Sequence, residues 1–214
     1  MKRLLLSLLV LLAILLSACQ SSVIPDLVAR PGGRLFWDEF SNASGNWPDV
    51  SGPNGTLGIV NGTYQIQVRS SQLILTTAPD QPFRNVQVEA DAARLSGPLQ
   101  NLFGLICRSS DSENFYFFVI SSDGFYALGK IKKGQASLLG QDMMAYNSGI
   151  LQGDATNHLR LDCIGDSLTG YINNVVIATS DDADFSSGEV GLVAGAHDLP
   201  GVAVAFDNFV VYKP

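Results

Sequence analysis

Three apolar stretches between His158 and Thr179 are linked by only two residues each, Gly165-Asp166 and Asn173-Asn174. Links that short leave room for one arrangement, adjacent antiparallel strands closed by tight hairpin turns, because Asn, Asp and Gly accept the positive φ of primed turns. The sequence therefore predicts a meander of His158 to Ile164, Ser167 to Ile172 and Val175 to Thr179. A further hairpin is expected at Asp123-Gly124, between Asn114 to Ser121 and Phe125 to Ile131.

The same pattern runs through the chain from Arg34 onward: short segments rich in Val, Ile, Leu, Phe and Tyr, broken by Gly, Asn, Asp and Ser, without a helical period. Val86, Val88, Ala90 and Ala92 alternate with Gln87, Glu89 and Asp91, which predicts a strand with one core face and one wet or ligand-facing side. Phe115 to Ile120 is apolar on both faces and is expected to be central, with a layer on each side. The expected fold is an all-β antiparallel two-sheet β-sandwich or jelly roll.

Ahead of this domain, Lys2 and Arg3 precede a Leu-rich run from Leu4 to Leu16, and Leu16-Ser17-Ala18-Cys19 has the form of a bacterial lipobox. Residues 1–18 are read as a lipoprotein signal peptide, Cys19 as the lipidated first residue of the mature chain, and 19–33 as a tether broken by Pro25, Pro31, Gly32 and Gly33. The jelly-roll domain is expected over 34–214. The alternative, a transmembrane anchor, conflicts with a run shorter than the ~20 apolar residues that a span requires. Either reading puts the domain outside the cytoplasm, with the membrane as a partner through the lipid.

Once Lys2 and Arg3 are removed with the signal, the 13 basic residues fall to 11 against 20 acidic ones, a formal net charge of −9. That balance, with no basic cluster interleaved with aromatics, excludes nucleic acid as a partner and tolerates a bound cation. Beyond Cys19 the cysteines are Cys107 and Cys163. In an oxidising compartment they are expected to form a disulfide, since each is in phase with core-facing neighbours on its strand; two buried free thiols are the alternative.

Phe36-Trp37-Asp38-Glu39-Phe40-Ser41 with Trp47-Pro48, Gly62-Thr63-Tyr64, the meander, Gly188-Glu189-Val190-Gly191-Leu192 and Phe206-Asp207-Asn208-Phe209-Val210-Val211 resemble the concanavalin A-like lectin/glucanase superfamily. Among its members the chain is similar to the laminin G-like and 3-keto-disaccharide hydrolase-like domains of bacterial lipoproteins. The resemblance extends from Arg34 to Tyr212. It implies a curved jelly roll, often with a glycan site on the concave face and, in some members, a calcium ion near the paired termini.

Family-16 glucanases on this fold carry Glu, Asp and Glu along one strand face. Glu89 and Asp91 match the first two positions, while Ala93 and Arg94 stand where the second Glu belongs. Retaining hydrolysis needs a nucleophile and a separate acid ~5 to 5.5 Å apart, so the motif is incomplete for catalysis. If the protein is an enzyme, Glu89 and Asp91 are its catalytic residues; otherwise they are solvated outer-face residues. For stacking on sugar rings the candidates are Tyr64, Tyr116, Tyr126, Tyr146 and Trp37, each alternatively a core or rim aromatic; Trp47 is read as packing. No other cofactor is expected. Asp38 and Asp207 are the candidate calcium ligands, and the run Asp181, Asp182, Asp184 is read as a turn. With only His158 and His197 there is no histidine cluster for zinc or a triad. The leading expectation is a cell-surface lipoprotein whose module binds carbohydrate without catalysis. The alternatives are a hydrolase of the 3-keto-disaccharide type and a structural or protein-binding envelope module.

Overall fold

The computed structural model describes residues 31–42 and 46–214. The signal segment, Cys19 and the greater part of the tether lie outside the described residues. The strands are β1 (Arg34–Asp38), β2 (Val50–Gly52), β3 (Gly55–Val60), β4 (Thr63–Val68), β5 (Leu73–Thr77), β6 (Pro82–Phe83), β7 (Val86–Ser96), β8 (Asn101–Asp111), β9 (Asn114–Ile120), β10 (Phe125–Lys132), β11 (Gln135–Leu138), β12 (Ala145–Tyr146), β13 (Asn157–Ile164), β14 (Ser167–Ile172), β15 (Val175–Asp181), β16 (Gly188–Ala196) and β17 (Val202–Tyr212).

They form two antiparallel sheets. The first runs β15-β14-β13-β7-β17-β4-β3-β2, with β1 also on β17; the second runs β11-β10-β9-β8-β16-β5, with β12 on β10 and β6 on β16. The expected meander is present as β13, β14 and β15, and both residues of its Asn173-Asn174 turn have positive φ, 49° and 68°. The Asp123-Gly124 hairpin is present too, with Gly124 at φ 96°.

Strand alternation fills the space between the sheets. Tyr64, Ile66 and Val68 of β4, Val86, Val88 and Ala90 of β7, Leu159 and Leu161 of β13, and Val202, Val204 and Phe206 of β17 meet Phe103, Leu105, Tyr116, Phe118, Ile120 and Leu192 of the second sheet. Trp47 closes one side, with its ring 4.9 Å from Phe209 and 5.1 Å from Tyr64. The Cys107–Cys163 disulfide joins β8 to β13 and so ties one sheet to the other through the core.

The two outer faces differ. That of the second sheet carries Ile106, Phe115, Phe117, Val119, Ala127, Ile131 and Val193, partly covered by Leu138 and Met144. This accounts for the double-sided apolar pattern of Phe115 to Ile120: one side enters the main core and the other this smaller cluster. The outer face of the first sheet is polar, and β17 makes it irregular at one point. At Asp207-Asn208 the β17 ladder slips against β7, and Asn208 sits at φ 53°. On its other edge β17 pairs with β4 before the slip, through Val202 to Phe206, and with β1 after it, through Phe209 to Tyr212.

Candidate functional site

The β7 and β13 register sets Asp91 opposite His158, Glu89 opposite Arg160 and Gln87 opposite Asp162. Because directly paired residues project from the same side, six polar side chains are gathered on one patch of the first sheet. His158 Nδ1 lies 2.8 Å from Asp91 Oδ1, and Asn208 donates through Nδ2 to Asp91 Oδ2 at 2.8 Å. His158 Nε2 stands 3.6 Å from Glu89 Oε2, beyond hydrogen-bond range but close enough for the carboxylate to act as a neighbouring charge. Glu89 and then Asp91 favour the imidazolium over the opposing effect of partial burial, and the His158 pKa is pushed up to about 9. At neutral pH the group is a cation between two carboxylates.

Arg160 is held along its own strand by a two-point contact with Asp162, Nε to Oδ1 at 2.6 Å and Nη2 to Oδ2 at 2.8 Å. The Tyr171 hydroxyl donates to the same Asp162 carboxylate at 3.2 Å, and the guanidinium carbon lies 4.5 Å from the Tyr171 ring centre. Arg160 Nη1 remains 3.8 Å from Glu89 Oε1, too far for a hydrogen bond. Beside this patch the β17 irregularity opens a cleft of about 190 Å³ lined by Thr63, Asp91, Ala93, Thr156, Asp207 and Asn208.

The structure places three sequence-derived candidates on this face together: Glu89, Asp91 and Asp207. Trp37 joins them, 55% exposed, on β1 opposite Val210. Tyr64 and Tyr116 are corrections. Both are fully buried in the core, so neither ring can stack on a ligand. The Tyr64 hydroxyl donates to the Pro48 carbonyl and bonds Thr77, and burial pushes its pKa up to about 12. The Tyr116 hydroxyl donates to Asp182, and burial followed by that contact raises its pKa to about 12. Tyr126 shares the inward phase of Ile120 opposite it and packs half-buried against the core. Tyr146 is exposed but elsewhere, edge-on to Phe125 at the rim of the second sheet.

Asp38, at the end of β1, accepts from the Phe40 amide at 2.8 Å, and Asp207, which lines the cleft, accepts from the Asn208 amide at 2.7 Å. Asp182 and Asp184 hold Lys130, and Asp184 also holds Lys132. Sequence reasoning passed over His158, Arg160, Asp162, Tyr171 and Asn208. The signal for the first three was the alternation of β13, whose apolar phase Leu159, Leu161 and Cys163 leaves them facing outward.

No protein-family model and no curated protein matches the chain. Solved structures do share its fold. A carbohydrate-binding module, CBM66, from Bacillus subtilis is 19% identical with a TM-score of 0.63, over 78% of this chain and 95% of that one. A Bacillus subtilis protein with a galectin-like fold is 13% identical with a TM-score of 0.62, over 86% and 97%. The GH43 protein BlXynB from Bacillus licheniformis is 12% identical with a TM-score of 0.61, over 83% of this chain but 39% of that longer one. At such identities the likeness defines the architecture, an antiparallel galectin-like sandwich, and leaves function to the site.

Proposed function

We propose that the protein is an extracytoplasmic module, tethered through a lipid on Cys19, that binds carbohydrate without catalysis on the polar outer face of its first sheet. The observation that carries the reading is the pairing of cations and amide with carboxylates around Asp91: His158, Asn208, Arg160 and Glu89 put donors and acceptors side by side next to an open cleft. A sugar hydroxyl is donor and acceptor at once, so a surface that alternates the two satisfies it from both sides. Side chains already held by one another lose little freedom when a ligand arrives. The carbohydrate-binding module among the structural neighbours supports the same class of ligand.

Binding is favoured over hydrolysis because Glu89 and Asp91 flank one imidazolium. A separate carboxylate placed across a glycosidic bond, as retaining chemistry requires, is missing from that strand face, where Ala93 occupies the next outward position. The test is a glycan array probed with the purified full chain and with Asp91→Ala, each in calcium and in chelator. Selective binding lost in the variant establishes the site, and loss in chelator shows that binding needs a divalent cation. A blank array with the folded protein rejects the carbohydrate reading.

A further inference from the structure

One row of the polar face has an aromatic ring at each end. Trp37 of β1 lies opposite Val210 of β17, Val210 opposite Glu89 of β7, Glu89 opposite Arg160 of β13, and Arg160 opposite Tyr171 of β14. Each is the outward member of its alternation: Val211 and Phe209 beside Val210, Val88 and Ala90 beside Glu89, Leu159 and Leu161 beside Arg160, and Gly170 and Ile172 beside Tyr171 are all buried. The row crosses four strand spacings of ~4.8 Å, so its two rings stand roughly 19 Å apart.

Both rings carry a guanidinium on one face. Arg34 lies 4.7 Å from the Trp37 ring centre and Arg160 lies 4.5 Å from that of Tyr171. Such stacks fix the attitude of the two rings, Trp37 exposed and Tyr171 partly buried, before any ligand is present. Trp37 has over half its surface in water and takes no part in the core, an unusual state for so large an apolar group. Between the rings Glu89 offers carboxylate oxygens, Arg160 offers the Nη1 hydrogens that Asp162 does not use, and Val210 offers an apolar floor.

We propose that this row is an extended track for a linear oligosaccharide lying across the strands, with sugar faces against Trp37 and Tyr171 and hydroxyls on Glu89 and Arg160. The inference rests on the carbohydrate reading above and specifies it: the ligand is the interior of a chain several sugars long, not one terminal sugar gripped in a pocket. An aromatic platform meets the apolar face of a ring, and the distance between platforms exceeds any monosaccharide.

The experiment uses an array printed with polysaccharides together with their matched oligomers from mono- to hexasaccharide, followed by calorimetry on the series that binds. Affinity is expected to climb with each added sugar until both platforms are reached. Trp37→Ala and Tyr171→Ala should each weaken the hexasaccharide about five- to tenfold; Trp37→Ala should weaken it more than it weakens a disaccharide at the central polar groups, whereas Tyr171→Ala, which also removes the ring and hydroxyl that hold Arg160 and Asp162, should weaken both. Trp37→Phe and Tyr171→Phe keep a ring and should restore most of the binding. Unfolding temperatures within a degree or two of the parent confirm that the variants are folded. A monosaccharide that binds as tightly as the hexasaccharide, or a hexasaccharide indifferent to both alanine variants, overturns the track while leaving carbohydrate binding intact. A blank array overturns both.

Discussion

His158 and Asp91 face each other across β13 and β7 as directly paired residues, Nδ1 to Oδ1 at 2.8 Å, and the same carboxylate accepts from Asn208. That contact couples the charge of the face to its geometry. The imidazole is held up to about 9 by Glu89 and Asp91, so the folded protein keeps a proton there that the unfolded chain, near the ordinary value of 6.5, gives up.

Stability should therefore depend on this group in a definite direction. A pKa raised on folding stabilises fully below about 6.5 and loses that stabilisation as pH rises through about 9. The side chain is about one-third exposed, so solvent screening reduces the effect to on the order of 1 kcal/mol. Urea unfolding of the parent and His158→Gln at mildly acidic and at alkaline pH checks it: the gap between them should be present in acid and close above the folded pKa. A gap that widens with pH contradicts the assignment.

Removal of one carboxylate separates the two contributions to that shift. In Asp91→Asn the imidazole keeps Glu89 at 3.6 Å but loses its charged hydrogen-bond partner. Its titration midpoint, followed by NMR, should drop by about one unit, since a charge-assisted bond contributes ~1.5 kcal/mol or more. An unmoved midpoint would put the whole effect on Glu89.

Much of the architecture was legible because its signals are local. The two-residue turns define β13, β14 and β15, and alternation alone turns Glu89 and Asp91 outward. The same signal turns Tyr64, in phase with Ile66 and Val68, and Tyr116, in phase with Phe118 and Ile120, into the core, where side-chain type alone leaves each open as a ligand contact or a core aromatic. What the sequence does not carry locally is register between distant strands. His158 meets Asp91 across a separation of 67 residues, and Trp37 shares a row with Tyr171 through three intervening strands. The Asp207-Asn208 slip beside the cleft falls where the other edge of β17 passes from β4 to β1.

Arg108 is a buried cation whose guanidinium donates to three backbone carbonyls: Nε to Arg84, Nη1 to Phe185 at 2.8 Å and Nη2 to Gly165 at 2.6 Å. It thereby ties three connections at one end of the sandwich. Arg108→Met fills the volume but leaves those buried acceptors without the guanidinium donors, at a cost of about 3 kcal/mol. Chemical denaturation measures it, and a loss below half a kcal/mol would mean that water replaces the guanidinium.

The disulfide links positions 56 residues apart, and in the chain-entropy account its closure stabilises by about 4 kcal/mol. Unfolding with and without reductant should differ by that order. Because Cys107 and Cys163 are wholly buried, reduction of the folded protein should be slow unless denaturant is added.

Gly170 connects the core to the proposed track. A methyl group there would come within 2.4 Å of the Phe118 ring, which packs from the opposite sheet, and Gly170 precedes Tyr171 at the point where β14 slips against β15. Gly170→Ala must push β14 outward or force Phe118 from its rotamer, at a cost of about 1 to 3 kcal/mol. If the strand moves, Tyr171 moves with it, and hexasaccharide affinity falls alongside stability. Phe118→Leu makes room, so the double variant should recover part of both losses, a non-additivity expected only of residues in contact. Recovery of stability without recovery of binding would show that Tyr171 does not depend on this packing for its place in the row.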